Sequence, residues 1–118
     1  MVFGGSNPGN RGDNGRVKVE ILHIAECPNW QEAGTRARAA LDALGKQNVS
    51  IDYLLVNTSE EAVLVPFAGS PTILIDGDDP FPSGGRITEL ACRIYRTDTG
   101  LAGLPTTEQL AAALRERA

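Results

Sequence analysis

Hydrophobic and polar positions alternate over Val17-Lys18-Val19-Glu20-Ile21 and then give way to the nearly unbroken apolar run Leu22-His23-Ile24. Period-two alternation predicts a strand, and its loss predicts that the far end is covered on both faces. From Trp30 the period changes. Trp30, Ala33, Ala37, Leu41 and Leu44 recur at helical spacing, with Gly45 where a C-terminal cap would stand. Val49-Ser50-Ile51-Asp52-Tyr53-Leu54-Leu55-Val56 reads as a strand again, completing a βαβ unit with parallel strands and a right-handed crossover. Thr58-Ser59-Glu60-Glu61 has the capping-box pattern and leads into a short helix that Pro66 ends. Thr72-Ile73-Leu74-Ile75 predicts a third strand, closed by the turn residues Asp76-Gly77-Asp78-Asp79-Pro80. Thr106-Thr107-Glu108-Gln109-Leu110 opens a last helix through Leu114, with Arg115 and Arg117 well placed at its C-terminal end.

One stretch has two readings. Leu90, Cys92 and Ile94 alternate with Ala91, Arg93 and Tyr95 as in a strand, while Ile87, Leu90, Ala91 and Ile94 also fit a helix. On the strand reading Cys92 shares the apolar face and is a core residue, expected to react only after unfolding.

At 118 residues the chain makes one α/β domain over residues 16–118, and 42 % hydrophobic with 22 % charged residues suffices for a core. Residues 1–15 are rich in glycine and asparagine with almost nothing to bury, which predicts a disordered tail. They show no basic region followed by an apolar run, so no signal peptide is read there. Arg11-Gly12-Asp13, in such a tail, is a chance adhesion tripeptide. The longest apolar run, Ala62 to Ala68, is interrupted by Pro66 and is too short to span a membrane. A net charge of −4 argues against nucleic acid as a partner. With two cysteines and no export signal, a reducing cytoplasm is the expected location.

The chemistry concentrates at Glu26-Cys27-Pro28-Asn29-Trp30, between the first strand and the first helix. A sulfur at a helix N-cap meets unpaired N–H groups and the positive end of the helix dipole, so the thiolate is favoured; Pro28 suits the first helical position. The plain alternative is a small buried hydrophobe, and the adjacent Glu26 carboxylate opposes the thiolate. His23 and Cys27, with Cys92 as a third ligand, have a spacing seen in zinc sites, but a closed site wants four ligands and a core histidine is commoner, so no metal site is expected. Asp76, Asp78 and Asp79 lack the closing Glu of a calcium loop and read as a turn. Trp30 reads as helix core with one edge near the thiol. No Ser-His-Asp order, phosphate loop or paired-carboxylate arrangement is evident.

A βαβ unit, a further helix, and Gly69-Ser70-Pro71-Thr72 running into a strand, with a cysteine opening the first helix, resemble the thioredoxin fold from Val17 onward. More narrowly, Cys27-Pro28-Asn29-Trp30, Gly69-Ser70-Pro71-Thr72, Asp76-Gly77, Asp79-Pro80-Phe81, Cys92-Arg93-Ile94-Tyr95-Arg96-Thr97 and the Leu101-Ala102-Gly103 to Gln109-Leu110 segment resemble a family of small bacterial thioredoxin-like proteins with a single-cysteine motif, some labelled alkylmercury lyase. The resemblance implies a four-stranded mixed sheet of order 2-1-3-4 with helices on both faces, Leu90 to Tyr95 being the fourth strand, antiparallel to Thr72 to Ile75. It implies a cis Pro71 lying against Cys27, and it makes Pro28, Asn29, Trp30, Ser70, Pro71 and Thr72 the substrate-binding set, Ser70 and Thr72 through their backbone. Dithiol oxidoreductases of this fold use Cys-x-x-Cys, and Trp30 holds the second position here. The implied activity is therefore monothiol: thiolate Cys27 attacks a disulfide or oxidised thiol, and a small thiol or Cys92 resolves the mixed disulfide. The implied partner is a protein or low-molecular-weight thiol or disulfide, and no cofactor is expected. Two other readings stay open, a degenerate module that binds a partner without turnover, and soft-metal or organomercurial handling by Cys27 and Cys92.

Overall fold

The computed structural model describes residues 17–81, 85 and 87–117; the segment expected to be a disordered tail lies outside them. Its centre is a strand β1 (Val19–His23), flanked by β2 (Ile51–Leu55) in parallel and β3 (Thr72–Ile75) in antiparallel, a three-stranded mixed sheet of order β2-β1-β3. Register runs Val19↔Ile51 to His23↔Leu55 on one side and Val19↔Ile75 to Leu22↔Thr72 on the other. Flanked on both edges, β1 sends Val19 and Ile21 to one face and Leu22 to the other, which is why its sequence stops alternating. All four residues of β3 are buried, whereas β2 lies at the sheet edge and leaves Tyr53, Leu54 and Leu55 exposed.

The first face is covered by α1 (Asn29–Ala43) and α3 (Thr107–Arg117), whose Ala33, Ala37, Leu41, Leu110 and Leu114 pack on Val19, Ile21, Ile73 and Ile75. Gly45, at φ +74°, ends α1: its N–H bonds the Asp42 carbonyl at 3.1 Å and the Lys46 N–H bonds that of Leu41 at 2.8 Å, the paired bonds of a Schellman cap. Thr106 and Gln109 cap α3 reciprocally, at 2.8 and 3.0 Å. The opposite face carries the short α2 (Ser59–Val63), capped by Thr58, with Ala62, Phe67, Val56, Leu74, Leu22, Ile24 and Cys27 in one cluster. No helix among the described residues is long and apolar enough to cross a membrane.

The fourth strand of the expected sheet does not form. Residues 90–94 are neither helix nor strand, and the segment meets the core at a single parallel bridge, Ser70↔Cys92, rather than along Thr72 to Ile75. Two features account for this. The outer edge of β3 is already engaged, since Ile75 and Asp78 bond each other across a tight turn with Asp76 at φ +55° and Gly77 at φ +85°. The alternation is also inverted, with Arg93 and Tyr95 turned inward and Cys92 and Ile94 outward. Only Tyr95–Thr97 is extended, as β4, and it pairs with β5 (Gly100–Ala102) in a separate hairpin.

Candidate functional site

Cys27 lies in the turn between β1 and α1, fixed from both sides. Upstream, the Ile24 N–H donates to Ser70 Oγ at 3.0 Å; downstream, Pro28 is the N-cap of α1, at φ −78° and ψ −5°, and no side chain caps the helix. The cysteine thus stands one residue earlier than the N-cap expected for it, and Pro28 one earlier than the first helical position. Cys27 Sγ donates instead to the Ser70 carbonyl at 3.5 Å, and the side chain has no exposed surface. The Ser70–Pro71 peptide is cis.

Ser70 is the hub of the site. Its N–H donates to the Ala91 carbonyl at 2.8 Å and its own carbonyl accepts from the Arg93 N–H at 2.8 Å, which places Cys92 directly beside it. Cys92 is exposed, not a core residue, because the residues either side of it are the ones bonded to the chain. Both cysteines are free thiols. The Cys92 thiol is held above the ordinary thiol range, first by a hydrogen bond with the Cys27 side chain, then by burial, then by the negative charge of Cys27 and Glu26.

An internal ion pair anchors this arrangement. Arg93 is only 5 % exposed; its Nη1 lies 2.6 Å from Asp79 Oδ2, its Nη2 donates to the Phe81 carbonyl at 3.0 Å, and its guanidinium stacks 4.4 Å from the Tyr95 ring centroid. The Tyr95 hydroxyl donates to the Pro71 carbonyl, and burial pushes that phenol far above its ordinary range, against the opposing charge of Arg93. The sequence reading assigned no role to Arg93 or Tyr95. The one local signal was two polar-headed residues at spacing two, and their acidic partner lies fourteen residues earlier in the chain.

The other expected site residues have partners of their own. Pro28 is exposed beside Cys27, while Asn29 lies against Gly103, where an added Cβ would sit 2.4 Å from Asn29 Nδ2. Trp30 packs on the α1 and α3 side of the sheet, away from the Cys27 cluster, stacked on His23 at 4.4 Å and edge-on to Tyr53 at 5.5 Å. Thr72 is buried, its hydroxyl donating to the Gly69 carbonyl at 2.5 Å and accepting from the Ala68 N–H at 2.9 Å. His23 is buried with Nδ1 unpartnered among the described residues, and burial lowers its pKa, partly offset by a backbone hydrogen bond at Ile24. Asp76 belongs to the turn, where Oδ1 accepts from the Lys18 N–H at 2.9 Å. No group of three or more His, Cys, Asp or Glu side chains among the described residues converges as a metal site.

What the arrangement offers chemically is two free thiols on either side of Ser70, one sealed and one open to solvent, the open one on a segment held by the Arg93–Asp79 ion pair. Compared with models of known protein families, with curated proteins and with solved structures, the chain matches none.

Proposed function

We propose that the protein is a thiol–disulfide redox protein whose working pair is Cys27 and Cys92. The observation that carries this reading is that both cysteines meet at Ser70: Cys27 Sγ donates to its carbonyl at 3.5 Å, and Cys92 bridges it between the bonded Ala91 and Arg93. A disulfide requires Cα atoms within about 7 Å, and two cysteines that flank one residue are the pair in this chain to which that limit applies. Oxidation by a disulfide R–S–S–R removes one hydrogen from each thiol, forms the Cys27–Cys92 bond and releases two R–S–H. Cys92 thereby supplies the second thiol that Trp30 cannot supply in the Cys27-Pro28-Asn29-Trp30 motif. A small α/β domain with a cysteine between its first strand and first helix supports a thioredoxin-like reading of the chain.

A second reading rests on the same placement, because two thiolates brought to one residue also suit a soft, two-coordinate cation or an organomercurial. Peptide mapping after mild oxidation separates the two. The redox reading expects a Cys27–Cys92 cross-linked peptide in the wild type and none in Cys92→Ser. An oxidised wild type whose cysteines map only to separate, uncrosslinked peptides would leave the soft-metal reading ahead.

A further inference from the structure

An extended polypeptide docks beside a reactive sulfur by pairing its backbone with free N–H and C=O groups at a strand edge. The main chain that the Cys27 sulfur bonds is that of Ser70, and both its groups are taken, the N–H by the Ala91 carbonyl and the carbonyl by the Arg93 N–H, each at 2.8 Å. The cover continues on either side. The Ile87 N–H holds the Phe67 carbonyl at 2.8 Å, and Arg93 packs so closely on Gly69 that an added Cβ there would sit 2.8 Å from Arg93 Cβ. The covering segment is itself fastened by the Arg93–Asp79 pair and by the Tyr95 hydroxyl on the Pro71 carbonyl. Cys92 lies in the middle of it, exposed, while Cys27 beneath has no exposed surface.

Resting on the redox reading above, we infer that residues 91–93 fill the backbone edge an extended substrate would use, so that the natural reactant is a low-molecular-weight disulfide or thiol that meets the protein at Cys92. The Cys92 thiolate attacks the small disulfide, forming a Cys92 mixed disulfide and releasing one small thiol. Cys27 loses its proton and attacks the Cys92 sulfur, closing the internal disulfide and releasing the second small thiol. Two electrons pass from the two cysteines to the small disulfide, and two small thiols reverse the sequence. Cys27 is thus the resolving sulfur, the reverse of the monothiol order in which Cys27 attacks first.

The test uses glutathione disulfide as the small probe and a cystine-linked dimer of an unstructured peptide as the extended one, with products read by mass spectrometry. Cys27→Ser, and Cys27→Ala in case serine perturbs folding at this buried site, should accumulate one glutathione on Cys92. Cys92→Ser should gain its adduct on Cys27 at least about tenfold more slowly, because access limits exchange. The wild type should lose two hydrogens, retain no adduct, and react with glutathione disulfide faster than with the peptide dimer. Equal adduct rates in the two single variants, or faster oxidation by the peptide dimer, overturn the inference and leave the redox reading standing. A wild type that loses no hydrogens with either probe overturns both.

Discussion

Replacing Asp79 by alanine takes away the carboxylate paired with Arg93 among the described residues, the Arg93 side chain being 3 % exposed against 17 % for Asp79. It also removes the acceptor of the Phe81 N–H, bonded at 3.0 Å. Truncating one member of a buried pair costs about 3–5 kcal/mol, because the surviving charge is left desolvated. The residual exposure of Asp79 and the remaining Arg93–Phe81 carbonyl bond bring the expected loss to about 2–3 kcal/mol. Arg93 has nothing further to fall back on, since its Nε already lacks a partner among the described residues. At roughly 4–8 °C per kcal/mol for a domain of this size, Tm should fall by roughly 10–20 °C. Asp79→Asn keeps the oxygen that accepts from the Phe81 N–H but sets an amide NH2 in place of the one that accepts from Arg93 Nη1, so it should lose less than Asp79→Ala while still losing the ion pair. Denaturant titration of the three proteins measures the stabilities, and the rate of Cys27–Cys92 disulfide formation under a fixed oxidant, which should fall in the same order, reports whether the pair positions Cys92. A loss below about 0.5 kcal/mol for Asp79→Ala, the value of an exposed pair, would show that the Arg93 head is solvated and anchors nothing.

Other expectations concern protonation and the caps. Because Cys27 is the first cause of the raised Cys92 pKa, Cys27→Ala should lower it and make Cys92 alkylate faster at neutral pH than in the wild type, with the midpoint of the rate–pH profile moving down; an unchanged profile contradicts the contact. Burial lowers the folded-state pKa of His23, so the unfolded chain binds the proton more readily and stability should decline as pH falls below about 6.5, a decline that denaturant midpoints followed by Trp30 fluorescence record and that His23→Gln should flatten. Tyr95 should not ionise before alkaline unfolding, visible as missing tyrosinate absorbance in the native titration. Gly45→Ala, at a left-handed position with open space around it, should cost about 1 kcal/mol through backbone conformation alone, as measured by thermal unfolding.

Periodicity located β1, α1, β2, β3 and α3 because each buries a face whose spacing is written locally, and the Thr58, Gly45 and Thr106 caps were legible because they are set by residues three or four apart. The 87–95 stretch was not legible in that way. Its alternation is real, but which face turns inward depends on Asp79, fourteen residues away in sequence and brought close only by the β3 turn. Arg93 goes in because a carboxylate and a carbonyl await it, and Cys92 goes out as its neighbour, against the apolar pattern. Cys27 could be found from its place between strand and helix, but its actual partner, the Ser70 carbonyl, lies forty-three residues on and no local rule points to it. Helical spacing placed Trp30 in the helix core, where it packs, but could not show that its ring stacks on His23 from the neighbouring strand.

The central claim is that Cys27 and Cys92 exchange two electrons as one unit. Equilibrating the native protein across a series of glutathione redox buffers and counting free thiols by quenched alkylation tests it most directly. The account predicts one transition in which both thiols disappear together, with a two-electron slope of about 30 mV per decade, and no such transition in Cys92→Ser. Two thiols that persist across the whole series, or that are lost independently as separate glutathione adducts, would contradict it.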